Sequence, residues 1–466
     1  MKKRRLRSKG SSVELGCLAL IVAAAAAVYV RSIHSALAYD EGNYLASLDA
    51  LRHGQHLGSG VFLDQPPGWY LLLQGVGATF GNTVTGVRTG MLVLALLGLV
   101  AAWAAARALG GPLAGLGAAA VLSIAPPYPT LAATVESDPP STVLALVSIA
   151  IALYARRRPS LWALSGAVFA LAVSVKLFAV VAALPLAALA LRHRRVQEAA
   201  YLAGGFAAVV VAFVVGYRHV LHQVWEGVFG AHLNAVGGHQ PGAQSNLSRI
   251  VHLPDLHTPF GWLAWAGIVC ALYWLVRHRP LGLWPLWLFT VGAAAFTLTM
   301  RPLLDHHLVL LTTALAVPAG ASVALTLERV RDWTLLLLVA FVCAGLYQEH
   351  HRLARNAVPE RPDYVWAAQT VDAHSKPGDL VVSDIPSIPY LAHRQEPGQL
   401  IDSSIARIIN EYLKPKDVLR LIDESKAPVV VVGRNYLTKP EIISGLRKRY
   451  TVVLRHGEVT VYFRPR

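Results

Sequence analysis

Charge is scarce in this chain. Only 15% of its 466 residues are Asp, Glu, Lys or Arg, against roughly 25% in an average soluble protein. Acids are fewer than bases, 27 against 42, which leaves a net charge of +15. That balance alone would suit nucleic acid, but no basic patch interleaves with aromatic residues, and a nucleic-acid partner is excluded on that ground. Cysteine is nearly absent. Cys17, Cys270 and Cys343 each lie inside an apolar run, where a thiol serves as a small hydrophobe. None falls in the last 118 residues, which excludes a disulfide framework or zinc knuckle there. That stretch also lacks the glycine patterns that cradle phosphate, and the chain shows no repeat of fixed period.

What is abundant is apolar sequence. Hydrophobic residues make up 55% of the chain and mean hydropathy is +0.46. Apolar runs of 16 to 24 residues recur up to about residue 348, the signature of repeated membrane crossing. Spans are expected near 13–35, 87–108, 112–133, 139–155, 160–175, 177–191, 198–219, 259–276, 281–299, 308–327 and 333–348. The expected fold is therefore a polytopic α-helical membrane protein of about eleven transmembrane helices (residues 1–348) followed by a soluble α/β domain (residues 349–466).

The connections differ in charge. One set, from Lys2–Lys9 through Arg107, Arg156–Arg158, Arg192, Arg194, Arg195, Arg277, Arg279, Arg329 and Arg331, carries 17 basic residues; the other carries six. The basic set is read as cytoplasmic. The N-terminus is then inside, and eleven spans put the C-terminal domain outside. The first span has an alternative reading as a signal peptide, with Ala36-Leu37-Ala38 as the cleavage site.

Two outer loops are long, 37–86 and 220–258. In the first, Leu45, Leu48 and Leu51 share a helix face. The second holds His222, His232, His239, His252 and His257, and an Asn246-Leu247-Ser248 triplet of glycosylation form, a pattern that also arises by chance. The tail reads as a small α/β sandwich: a strand at 379–383, a helix at 416–426, a buried strand at 428–433, a helix at 441–449 and a hairpin turning at His456-Gly457.

Four polar constellations stand out on the outer side. Asp40-Glu41 follows directly on the first apolar stretch. Acids are costly near hydrocarbon, so the pair suggests a site, with a carboxylate as general base on an acceptor hydroxyl; the alternative is a pair of solvated acids at a helix end. Glu136-Ser137-Asp138-Pro139-Pro140 fills a short loop. Asp138 there suits a helix cap before proline, and Glu136 with Asp138 would offer oxygen ligands to a divalent cation. Two carboxylates are a thin shell, so no cofactor is required on this reading and a divalent cation stays the alternative. Lys176 interrupts the apolar stretch 170–191 and suits an anionic headgroup or a snorkelling role. Arg301, His306 and His307 join two spans and suit phosphate binding by charge-assisted hydrogen bonds, or a plain polar turn. Acids and cations on one membrane face make joint sense for a lipid phosphate substrate.

Tyr39-Asp40-Glu41-Gly42-Asn43-Tyr44, Gly54, Gln65-Pro66-Pro67-Gly68-Trp69-Tyr70-Leu71-Leu72, Gly81 and Arg88 together resemble the first outer loop of the GT-C membrane glycosyltransferases. The nearest branch is the protein O-mannosyltransferase and lipid A aminoarabinose transferase-like group, although Gln65 stands where its box has histidine. Glu136-Ser137-Asp138-Pro139 is similar to the second acidic loop of that group, Lys176 with Pro185 to its Lys-to-Pro span, and Leu304-Asp305-His306-His307-Leu308 to a form found in bacterial members.

The resemblance covers residues 1 to about 330. It implies an inverting transferase that moves a sugar from a polyprenyl-phosphate donor to an envelope polysaccharide, lipid or protein hydroxyl at the outer face of a bacterial plasma membrane. Asp40 matches the catalytic acid, with Glu41 beside it, and Asp138 matches the second acid; Lys176, Arg301, His306 and His307 are expected at the donor phosphate. No Trp-Trp-Asp motif is present, which argues against oligosaccharide transfer to asparagine, and no D-x-D, which favours a lipid donor over a nucleotide sugar. The rival class is a transporter or flippase of a lipid-linked sugar, which predicts charges or broken helices at mid-membrane in two repeated halves.

Overall fold

A computed structural model describes residues 2–155, 158–191, 196–230, 243–278, 281–330, 335–402, 407, 413–433 and 436–464. Arg156, Arg157, Arg192, Arg194, Arg195, Arg279, Arg331, His232 and His239 lie outside the described residues.

In chain order the helices are α1 (Lys2–Tyr29), α2 (Tyr39–Arg52), α3 (Pro67–Phe80), α4 (Val84–Gly110), α5 (Pro112–Leu122), α6 (Tyr128–Leu131), α7 (Asp138–Ala155), α8 (Pro159–Val175), α9 (Ala183–Leu191), α10 (Val196–Gly216) and α11 (Leu221–Trp225). Then come α12 (Ala243–His252), α13 (Pro259–Val276), α14 (Trp284–Thr299), α15 (Leu308–Val330), α16 (Leu335–Asn356) and α17 (Pro362–His374). The tail continues with β1 (Val381–Ser383), α18 (Ser387–Leu391), α19 (Pro415–Ser425), β2 (Val429–Val432), α20 (Pro440–Arg449), β3 (Val452–His456) and β4 (Val459–Phe463).

Each of the eleven expected spans contains helix among the described residues, though some not over their whole length. Among the described residues, six helical segments have the length and apolarity to cross a membrane: Ser12–His34, α4, α7, α10, α13 and α15. Shorter apolar helices occupy α5, α8, Leu177–Leu191 and α14. The segment expected at 112–133 is broken after Leu122, where Pro126, Pro127 and Pro129 cannot continue a hydrogen-bonded helix.

The chain divides into two compact units. The first comprises Met1–Ile33, Arg88–Phe213 and Pro241–Asn356. Its core is alanine-rich, with Ala102, Ala105, Ala114, Ala118, Ala314 and Ala321 fully buried. Small residues let helix backbones approach closely where lipid supplies no hydrophobic drive. The clearest case joins α5 and α15: a Cβ on Gly117 would lie 2.5 Å from the Gly320 carbonyl oxygen. Ser148 on α7 and Ser165 on α8 each donate to the other's carbonyl, at 2.8 and 2.9 Å.

The second unit comprises His34–Val87, Val214–Gln240 and Ala357–Arg466. Its sheet has the order β1-β2-β4-β3, with β1 parallel to β2 and the other pairs antiparallel. The four valines of β2 are buried on both faces, as a central strand between helix layers requires. Val429 and Val431 face the cluster of Tyr364, Val371 and Ile388, while Val430 and Val432 face Val418, Ile422 and Leu446. The tail is thus a three-layer α/β/α sandwich. The expected strands and helices all form.

Loop 37–86 belongs to this same unit and holds α2 and α3. Acids in the first turn of α2 suit the positive end of the helix dipole. Gly54, at φ +88°, ends the turn that follows it, and Pro67 opens α3 at a position where its missing N–H costs nothing. The loop is bonded to the tail. Gln55 accepts the Gly398 N–H at 3.1 Å, Phe62 N–H donates to the Gly398 carbonyl at 3.2 Å, and Tyr390 donates its hydroxyl to the Asn82 carbonyl at 2.7 Å. The Arg407 guanidinium lies 3.8 Å from the centre of the Phe62 ring.

Candidate active site

In the membrane unit, five of the residues singled out in the sequence converge at one end of the helices. Asp138 is fully buried at the start of α7. Its Oδ2 lies 2.9 Å from Lys176 Nζ, an ion pair shielded on both sides, with side-chain exposures of 0% and 14%. Ring nitrogens of His306 and His307 and a carboxylate oxygen of Asp138 lie within 4.8 Å of one another. A Glu136 carboxylate oxygen is equally close to a His306 ring nitrogen, and Glu136 is itself buried.

Each of these positions has a local cause. Pro139 and Pro140 sit in the first turn of α7, where proline is tolerated. The same prolines overturn the expectation that Asp138 caps its helix. They supply no N–H, and the Ser141 N–H goes to the Ser137 carbonyl at 3.2 Å. The carboxylate turns to Lys176 instead, and its Oδ1 has no hydrogen-bond partner. Lys176 ends α8. Its backbone is extended (φ −152°, ψ 130°), and a 3-10 turn at Leu177–Ala182 follows before α9 resumes. The interruption read from the apolar stretch is therefore a real break in the helix, and the lysine is held at it.

His306 and His307 lie in the connection between α14 and α15. Burial pushes the His306 pKa below the ordinary histidine value; Asp138 pulls it up, Lys176 pushes it further down, and Asp305 pulls it up. His307 Nδ1 accepts the Leu304 N–H at 3.2 Å, so its proton resides on Nε2.

Sequence reasoning missed what holds this connection. Asn246 on α12 is buried, and its amide donates to the carbonyls of Met300 at 2.7 Å, Thr297 at 3.3 Å and Leu298 at 3.3 Å. It closes the end of α14 and is no exposed glycosylation acceptor. Arg249, one turn further along α12, donates to the Leu303 carbonyl and pairs with Asp305. The Asn-x-x-Arg spacing on one helix face was the available signal. Arg301 is exposed and, among the described residues, forms no hydrogen bond or ion pair.

Asp40 and Glu41 belong to the second unit, in the first turn of α2. Glu41 is buried, and its Oε2 accepts the Ala38 N–H at 3.1 Å, one half of a capping box. Asp40 is half-buried beside it. Further along the loop, Tyr70 donates its hydroxyl to Asp64, and Trp69 meets the edge of Tyr44 with ring centres 5.0 Å apart.

Comparisons with known proteins bear on the fold. Residues 64–217 match the family model of dolichyl-phosphate-mannose-protein mannosyltransferases. ArnT from Cupriavidus metallidurans, in the apo state, superposes with a TM-score of 0.69 at 18% identity, covering 96% of this chain and 98% of that one. The fold is that of the GT-C glycosyltransferases. The same GT-C architecture recurs in the Archaeoglobus fulgidus oligosaccharyltransferase tethered to an acceptor peptide (TM-score 0.56, 11% identity, 97% of this chain, 74% of that one). It recurs again in the mycobacterial arabinofuranosyltransferase AftD (0.55, 14%, 96% and 41%). ArnT was also solved with undecaprenyl phosphate bound, with a TM-score of 0.69 at 16% identity. No curated protein matches by sequence. The stretch that matches the family model includes Glu136, Asp138 and Lys176.

Proposed function

We propose that this GT-C chain is an inverting glycosyltransferase that moves a sugar from polyprenyl phosphate to an acceptor hydroxyl at the outer face of a bacterial plasma membrane. The observation that carries the reading is the buried Asp138–Lys176 pair with His306 and His307 beside it, at the head of a membrane helix. A shielded cation at that level suits the phosphate of a lipid-linked donor, because charge stabilisation is strongest where water is excluded. An apolar cleft of about 390 Å³ along α4 and α7, lined by Leu97, Val100, Ala104, Val147, Ile151 and Tyr154, suits an isoprenoid chain. Val147 and Tyr154 lie roughly 14 and 24 Å down the helix from Asp138, at about 1.5 Å per residue.

In the proposed step Asp40 takes the proton from the acceptor hydroxyl. The acceptor oxygen attacks the anomeric carbon in line, and the bond from that carbon to the phosphate oxygen breaks. Polyprenyl phosphate departs with the electron pair, and its charge is met by Lys176, Arg301, His306 and His307. Glu41 serves α2 as a cap, which supports a positioning role for it and leaves Asp40 as the base.

A divalent cation at Asp138, His306 and His307 fits less well. The ammonium of Lys176 already pairs with Asp138, and a His307 that accepts at Nδ1 presents a proton at Nε2 rather than a lone pair. We therefore assign Lys176 the cationic role and route no step through a metal. The acceptor is a glycan, lipid or protein hydroxyl. Asp40→Asn, assayed in membranes supplied with polyprenyl-phosphate sugar and acceptor, is expected to lose about 100-fold or more in turnover, the usual scale for a general base. Near wild-type turnover would remove that role.

A further inference from the structure

The tail domain has no role in the reaction as written. We propose that it is a positioning element: the segment from α18 through Gly398 clamps the helix that carries Asp40 and fixes where its carboxylate stands. This rests on the reading of Asp40 as the base.

Three separate contacts within the loop-and-tail unit carry it. The first is steric. A Cβ on Gly42, two residues after Asp40, would lie 2.8 Å from the backbone nitrogen of Ser387 and 3.3 Å from its Cα. The first turn of α2 is therefore seated directly on the start of α18, and only glycine permits that distance. The second is at the far end of the same helix. Gln55 accepts from Gly398 N–H at 3.1 Å and donates to the Glu396 carbonyl at 3.4 Å, so a tail segment holds the turn after α2. The third closes the loop's other side: Tyr390, on α18 itself, donates to the Asn82 carbonyl at 2.7 Å, just past α3. Both ends of α2 and the exit of the loop are thus tied to one stretch of tail. Loop segments are otherwise mobile relative to the elements they join. A general base must hold its place to fractions of an ångström, and a shift of about 1 Å costs on the order of 100-fold in rate.

The test uses the full-length protein in nanodiscs. Tyr390→Phe removes one hydrogen bond and keeps the ring; Gln55→Leu removes two; Gly42→Ala forces α2 and α18 apart. Each is measured for turnover, for affinity toward undecaprenyl phosphate and for hydrogen exchange over residues 39–66. The expected result is faster exchange in that stretch, turnover reduced about 10-fold to 100-fold, and affinity for undecaprenyl phosphate within about twofold of wild type. Should Gly42→Ala fail to fold, Tyr390→Phe and Gln55→Leu still decide. Faster exchange with unchanged turnover overturns the proposal, and so does unchanged exchange in both. Asp40→Asn separates the two readings: an inactive protein with wild-type exchange upholds the base, whereas an active one sinks the base and leaves the exchange data to judge the clamp as a structural contact alone.

Discussion

At the residue scale, Asp138 and Lys176 depend on one another. Each is taken out of water, and removing one partner leaves the other as an uncompensated buried charge. Lys176→Met is expected to destabilise the membrane unit by about 3–5 kcal/mol. The double variant Asp138→Asn with Lys176→Met should recover most of that loss while staying inactive, and a double-mutant cycle of denaturation midpoints checks it. Full recovery of activity in the double variant would show that the pair serves the fold and not the reaction. Glu396 in the tail is the opposite case. It is buried, its Oε2 has no hydrogen-bond partner, and burial raises its pKa well above the ordinary glutamate value; the Ser383 N–H lowers it and Asp384 raises it. The folded state therefore binds a proton more tightly than the unfolded chain, so stability is fully present below the ordinary value and is lost as pH rises through the folded one. Glu396→Gln is expected to flatten that decline, with a thermal midpoint above wild type on the alkaline side. Parallel curves for the two proteins would show that Glu396 is charged in the fold.

At the element scale, α12 decides the shape of the connection that carries His306 and His307. Asn246 closes the end of α14 and Arg249 ties down Asp305. Asn246→Ala leaves buried carbonyls unpaired, at a cost of about 1–3 kcal/mol. It is expected to speed hydrogen exchange across residues 297–307 and to lower turnover, whereas exchange in α7 stays as it was. The elements that were legible in the sequence share a property: their signal is local. Four valines in a row announce β2, and the apolar run broken by Lys176 announces the end of α8. Asp138, Lys176, His306 and His307 were each visible because charge is rare in apolar surroundings. Contacts between distant segments were not visible. Nothing in Asn246-Leu247-Ser248 shows that its amide meets the end of α14, because that partner lies about 50 residues away and is a set of backbone carbonyls without side-chain identity. The helix cap expected of Asp138 failed for a related reason, since the lysine that competes for its carboxylate is 38 residues further along the chain.

At the scale of the whole molecule, the chain combines a membrane unit holding Asp138, Lys176 and the histidines with a second unit in which loop 37–86 and the tail fold together. The second unit carries Asp40, and the clamp on α2 gives the tail a reason to be there. A transporter of a lipid-linked sugar would be expected to show two repeated halves, and the sequence carries no repeat of fixed period. The most direct measurement reconstitutes the full chain in liposomes with a polyprenyl-phosphate sugar, with and without acceptor. With acceptor, the account predicts a glycosylated product of inverted anomeric configuration and one released polyprenyl phosphate per transfer. Movement of the intact sugar-lipid across the bilayer without acceptor, and no product when acceptor is supplied, would contradict it.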